Sequence, residues 1–393
     1  MTAERLNKYK LFSSKTPATA PFQYKNYEND CGYSLRISLI TLIIVHQFLS
    51  MNRKHFLSTL VTSAAVLPAL DSFGTESEGR SMSRKNSKIP PFLQLGDTIG
   101  ITSPASYISL EEIKPSIDLL ESWGYKVKVG KSIGQKDFTL GGTDLERAGD
   151  FQSMLDDNAI NAIMCARGGY GVVRIIDQID FKNFRRNPKW IIGFSDITLL
   201  HTHINSKYGI ATLHSKMCNS FPSEWAKASP MQIETILSIR QTLSGDPVKY
   251  VSPASSFNRF GHAEGVLVGG NLSLIETAAG TASNLETDGK ILFLEDTQEQ
   301  LYSIDRMLWN LKRTGKLDRL KGLIIGGFKI KVDTPGDEFG KSLYELVNEK
   351  VKEYTYPVCF DFPVGHQVNN YAWKCGAPHI FSVDETGGSL VSI

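Results

Sequence analysis

Three residues of a kind that carries out hydrolysis, Ser195, Glu295 and His366, each stand where an apolar run stops. Ser195 follows "WIIGF" and opens "SDITLLH", Glu295 closes "KILFLE", and His366 follows "FDFPVG" in a glycine-flanked loop. A serine on a sharp strand-to-helix turn exposes its hydroxyl, with backbone N–H groups beside it for a developing oxyanion. Activating that serine takes a base within hydrogen-bond reach and a third group to orient the base, roles open to His366 and Glu295. Each residue also has a plain structural reading. Ser195 or Asp196 suits a helix N-cap, Glu295 suits the positive end of a helix dipole, and a lone loop histidine suits the surface.

The stretch "CARGGYGVVRI", Cys165 to Ile175, places three glycines within four residues between a buried strand and a helix. Such a turn lets backbone N–H groups approach a ligand closely, as phosphate loops and oxyanion holes both do. It lacks the G-x-G-x-x-G spacing of a dinucleotide fold and the G-K-[ST] ending of a P-loop, so an oxyanion donor fits better than a nucleotide site. His201 and His203 lie two apart on a helix and point about opposite ways, which argues against a metal between them. The five cysteines, Cys31, Cys165, Cys218, Cys359 and Cys375, show no CxxC spacing and read as buried thiols. No cofactor and no metal is expected.

These residues need a scaffold that brings strand ends together. From Gly96 onward short apolar strands alternate with helical patterns, the signature of an α/β fold. "DTIGITS", "AIMCA" and "WIIGF" read as strands, with helices over "LEEIKPSIDLLESWGY", despite Pro115, and "DLERAGDFQSMLDD". Sites in such sheets collect beyond the carboxyl ends of the strands. Two domains are expected: a parallel-sheet domain carrying the nucleophile over 91–243 and a mixed α/β domain over 263–393, joined by a turn-rich connection at 244–262.

Composition narrows the class. With 41% hydrophobic and 21% charged residues and a net charge of +2, the chain of 393 residues reads as an ordinary globular protein without the basic footprint that nucleic acid requires. From Met51, "MNRKHFLSTLVTSAAVLPAL" has the basic start and apolar run of an export signal, expected over 51–70. Residues 1–50 then read as an upstream extension, and 71–90 as a disordered linker. No stable membrane span is expected in the mature protein, and its location is expected to be the periplasm or cell envelope, with the cytoplasm as the alternative.

In this order and spacing, "ARGGYG", "IIGFSDITLLH", "GVLVGGNLSLI", "LFLEDTQEQLYSIDRML" and "FPVGHQVNN" resemble the LD-carboxypeptidase family of serine peptidases, from about Leu95 to the C-terminus. The family includes muramoyl-tetrapeptide carboxypeptidases and microcin C self-immunity proteins. The resemblance implies a Ser195–His366–Glu295 triad, with backbone oxyanion donors at Asp196 and, within one position, Gly168. It also implies a homodimer and release of terminal D-alanine from murein tetrapeptides by cutting an L-to-D amide. One departure stands out: the family usually has a proline before its closing glycine, where this chain has Lys374, Cys375 and Gly376.

A carboxypeptidase has to bind a free carboxylate, and Arg167 beside the glycine turn serves that role or a structural ion pair equally well. Asn271 suits either substrate contact or helix capping, the second being the simpler. The alternative substrate is an aminoacyl-nucleotide conjugate of the microcin type, which would need an aromatic surface such as Trp373. A non-catalytic murein-binding protein is the remaining alternative.

Overall fold

The structure is a computed structural model and describes residues 87–393. The expected extension at 1–50, the expected export signal at 51–70 and all but the last residues of the expected linker at 71–90 lie outside the described residues. The linker's end is tied down rather than disordered, because Lys88 N–H donates to Gly209 O at 2.8 Å and the strand-like bridge continues to Ile210.

The first half alternates as its pattern predicts: β1 (Thr98–Thr102), α1 (Leu110–Ser122), β2 (Lys126–Val129), α2 (Asp144–Asp156), β3 (Ala162–Cys165), the short α3 (Val172–Ile175) and α4 (Lys182–Arg186), β4 (Trp190–Gly193), α5 (Thr198–Tyr208), β5 (Thr212–His214) and α6 (Pro230–Ser244). Strands β1 to β5 are parallel in the order β5-β4-β3-β1-β2. Helix starts are written in the sequence. Ser109 with Glu112 and Thr143 with Glu146 form capping boxes, and Ser229 with Gln232 does the same ahead of Pro230. The strands read as unbroken apolar runs because both faces are covered. Ile163 and Ile191 pack with Phe151 and Leu200 on one face, while Met164, Trp190 and Ile192 pack with Ile113 and Ile239 on the other.

The second half carries β6 (Lys249–Ser252), β7 (Gly261–Asn271), α7 (Leu272–Thr277), β8 (Ile291–Thr297), α8 (Leu301–Arg313), β9 (Gly322–Lys329), α9 (Leu343–Val351), β10 (Val358–Cys359), β11 (Trp373–Cys375), β12 (Pro378–Asp384) and β13 (Gly387–Ser392). Its sheet runs β10-β9-β8-β7-β12-β13-β6, parallel from β10 to β7 and antiparallel beyond. Helix α8 buries Ile304, Met307, Leu308 and Leu311, one helical stripe, against Leu292, Leu294 and Leu323. Among the described residues no helix is long and apolar enough to cross a membrane.

Two boundaries differ from the sequence reading. The stretch 244–262 is not a bare connection, since its residues 249–252 form an edge strand on β13. Four residues with largely exposed side chains give too little alternation to stand out among turn residues. Strand β11, from the second half, completes the first sheet by pairing antiparallel with β5, Trp373 opposite His214. Both sheets lie in one compact unit.

Candidate functional site

Ser195 sits two residues beyond β4 with φ of 61°, left-handed backbone that a non-glycine residue adopts at a cost of about 1–2 kcal/mol. The capping reading does not hold here: α5 starts without any side-chain cap, and Ser195 lies on a tight turn ahead of it. Asp196 does cap a helix, but a different one. Its Oδ2 accepts from Val172 N–H at 2.8 Å, tying the start of α3 to the serine's turn. Burial pushes the Asp196 carboxyl up to about 6, partly offset by that N–H.

The glycine turn between β3 and α3 folds directly onto the serine. A Cβ added to Gly168 would lie 3.0 Å from Ser195 Cβ and 3.2 Å from its Oγ, so the side-chain-free residue lets backbone reach the hydroxyl. Among the described residues the Gly168 N–H finds no acceptor. Arg147, fully buried on α2, holds this turn from beneath. It donates to Pro104 O at 2.5 Å and Gly171 O at 3.0 Å, and pairs with Asp144.

Glu295 and His366 meet across the second sheet's carboxyl edge. His366 Nδ1 and Glu295 Oε2 are 2.5 Å apart, with the carboxylate fully buried and the imidazole 14% exposed. Glu295 is thus not at a helix N-terminus but inside β8, opposite Asn271 of β7. Gly365, at φ of 95°, makes the approach possible, because a Cβ there would fall 2.3 Å from Glu295 Cβ. Gln367 and Asn370 then pin the loop to the first sheet. Lys216 Nζ donates to Gln367 O at 2.6 Å, and Asn370 Oδ1 bonds His214 at 3.2 Å while accepting from Gly365 N–H at 2.7 Å. The rings of Phe194 and His366 lie 5.0 Å apart, which brings the imidazole alongside the residue preceding Ser195. Ser195 Oγ itself makes no hydrogen bond to His366, and hydrogen bonds between a serine and a neighbouring base often tighten only with substrate.

With its Nδ1 engaged, the imidazole keeps Nε2 for a second partner, which is the arrangement a general base needs. Three further histidines, His201, His203 and His214, are structural. His201 bonds Gly193 O at 2.9 Å, His203 bonds Ser283 Oγ at 2.8 Å, and burial holds both down at about 4. His214 is pushed lower than its ordinary value by burial and then by His201.

The remaining candidates separate clearly. Asn271 caps α7, its Oδ1 accepting from Leu274 N–H, and its amide bonds Asp296. Arg167 is exposed and donates to Tyr107 O at 3.2 Å. Trp373, proposed as an aromatic surface, is 2% exposed and packs against Tyr250 and Phe362. Arg147, Lys216, His214 and Asn370 escaped the sequence reading. Only the "HSKM" run, which begins on the last residue of a short strand, offered a signal for Lys216 and His214.

Residues 99–215 match the LD-carboxypeptidase N-terminal domain, and residues 264–380 match the LD-carboxypeptidase C-terminal domain. This chain belongs to the LD-carboxypeptidase family. It is 35% identical over 295 residues to the "Probable murein peptide carboxypeptidase" of Bacillus subtilis, covering 73% of this chain and 89% of that protein. It is 26% identical over 302 residues to the microcin C7 self-immunity protein of Escherichia coli, covering 70% and 87%. The crystal structure of muramoyltetrapeptide carboxypeptidase from Oxalobacter formigenes superposes with a TM-score of 0.65 at 25% identity, covering 75% of this chain and 98% of that one. The two-domain α/β fold of this LD-carboxypeptidase family member is therefore the family's own.

Proposed function

We propose that this protein is a serine-type, metal-independent LD-carboxypeptidase that releases terminal D-alanine from murein tetrapeptides. The observation that carries the reading is the buried Glu295–His366 pair beside a serine held at φ of 61° with the Gly168 turn packed on its hydroxyl. His366 would take the Ser195 proton as Oγ attacks the carbonyl, with Glu295 fixing the tautomer and stabilising the imidazolium. Backbone N–H groups of Asp196 and Gly168 would receive the oxyanion. The imidazolium would then protonate the departing D-alanine amine, and water would resolve the acyl-enzyme by the reverse path. Relatives named for murein peptides support the substrate. The microcin-type alternative uses the same triad, but the aromatic residue suggested for it, Trp373, is buried.

A homodimer and export through the segment beginning at Met51 belong to the same reading, the second supported by its basic-then-apolar order. The test is release of free D-alanine from purified murein tetrapeptide by the parent and by Ser195→Ala, with a chelator present throughout. Release by the parent alone supports the assignment. No release by a folded parent refutes it.

A further inference from the structure

A second side chain leaves the first sheet at the height of Ser195. Strands β4 and β5 are parallel with Gly193 opposite His214, so Lys216 departs from β5 on the same level at which Ser195 departs from β4. Ser215 N–H donates to Gly193 O at 3.1 Å, which fixes the departing backbone there. The Lys216 ammonium lies 2.6 Å from Gln367 O, next to His366, and 5.5 Å from the centre of the Phe194 ring, next to Ser195. It is held between the nucleophile's strand and the histidine's loop.

No carboxylate of the described residues lies within ion-pair distance of this ammonium. Glu295, an acid whose charge reaches it, is already engaged by His366, and the positive charge of Lys329, at the end of β9, reaches it as well. One of the three ammonium protons goes to Gln367 O, leaving two. A partly buried cation without a counter-ion is costly, and an incoming anion offsets that cost.

The anion of a carboxypeptidase substrate has a fixed place. The terminal carboxylate is one residue beyond the attacked carbonyl, about 3.8 Å on by backbone dimensions, so its receptor has to stand next to both Ser195 and His366. We propose that Lys216 is the receptor for the free terminal carboxylate of the substrate. This deepens the carboxypeptidase reading and rests on it. Arg167 is the weaker candidate, being exposed and engaged with Tyr107 O. Burial, and then Lys329, pull Lys216 down to about 8, which leaves the ammonium dominant at neutral pH.

The experiment compares a tetrapeptide ending in free D-alanine with the same peptide ending in D-alaninamide, using the parent, Lys216→Met and Lys216→Arg. The parent should prefer the acid by about 10- to 100-fold in kcat/KM, mainly through KM, the span of one charge-assisted hydrogen bond. Lys216→Met should abolish most of that preference, losing a similar factor more on the acid than on the amide, with any loss common to both reading the lost bond to Gln367 O, and Lys216→Arg should recover part of the preference. In a Ser195→Ala background with Lys216 intact, calorimetry should show the acid binding more tightly than the amide by the same factor. Equal handling of acid and amide by the parent, or equal losses on both in Lys216→Met, would overturn the assignment of Lys216. A parent that cleaves neither peptide refutes the carboxypeptidase reading itself, and the subsite falls with it.

Discussion

Gly168→Ala tests whether the glycine turn supplies an oxyanion donor or is merely a turn. The added methyl would meet Ser195 Cβ at 3.0 Å, and Ser195 Oγ and Met217 Cε at 3.2 Å. Carbon pairs rest at about 3.5–4.0 Å, so the turn and the serine have to part by about 0.5 Å. Gly168 has no positive φ, so the backbone accepts alanine without strain and the stability cost is that of mild overpacking, about 1–3 kcal/mol. Catalysis is far less forgiving, because a donor works only within about 2.7–3.1 Å of the oxyanion and losing one costs about 2.7–4 kcal/mol. Initial-rate measurements of D-alanine release should therefore show kcat down by about 10²–10³ with KM little changed. Gly149→Ala on α2 is the control: nothing lies within 4 Å of the added Cβ, so it should raise stability by about 0.5–1 kcal/mol and leave kcat alone. A folded Gly168→Ala protein with kcat within threefold of the parent would refute the donor role.

Ser195→Gly should raise the melting temperature, by relief of about 1 kcal/mol of backbone strain at φ of 61°, while abolishing turnover; an unchanged melting temperature would show the turn to be unstrained. Glu295→Gln keeps the side chain's size but removes its charge and its command of the His366 tautomer, and kcat should fall by roughly 10²–10⁴, whereas near-parental activity would remove Glu295 from the mechanism. Acid stability follows from buried neutral histidines. His201, His203 and His379 are each held down by burial at about 4, below their ordinary 6.5, so the stability they carry is complete above pH 6.5 and is lost as pH falls toward 4, on the order of 3 kcal/mol each for the fully buried His201 and His379 and less for His203. Asp196 and Asp296, raised by burial to about 6, act with the opposite sign, costing stability as pH rises from about 4 to 6. Three histidines outweigh two aspartates, so the denaturant midpoint should rise from pH 4.5 to pH 7, and a flat or falling profile would contradict the burial argument.

What could be read in the sequence was whatever has a local cause. Strands β3, β4 and β8 are apolar on both faces, so their ends, and with them Ser195 and Glu295, were visible as places where polarity returns. Capping boxes marked the helix starts. What stayed hidden has its cause far along the chain. Arg147 sits in "DLERAGDF", which reads as a charged helix face, and only the return of residues 104 and 171 above it makes it a buried clamp. Lys216 and Asn370 likewise acquire their roles from a contact that spans the two domains. Strand β11 was missed because its three residues, Trp373 to Cys375, carry no period, and their partner β5 belongs to the other domain.

The same long-range contacts explain how a strained serine and an imidazole from another domain can share one site. A left-handed non-glycine residue persists only where its surroundings over-determine it. Ser195 is fixed from three sides: the Gly193 carbonyl is bonded to His201 and Ser215, Asp196 is bonded to Val172, and Thr198 Oγ1 accepts from Asn271 N–H at 3.0 Å. That last bond reaches β7, whose Asn271 stands opposite Glu295, so the turn carrying Ser195 is in register with the strand carrying Glu295. His366 is fixed independently, since the run 367–372 between it and β11 is too short to wander once Trp373 pairs with His214. The arrangement of Ser195, Glu295 and His366 is thus set by sheet pairing on one side and by backbone hydrogen bonds on the other, not by contacts among the three residues alone. Loosening the β5–β11 seam would move His366 and leave the serine turn in place.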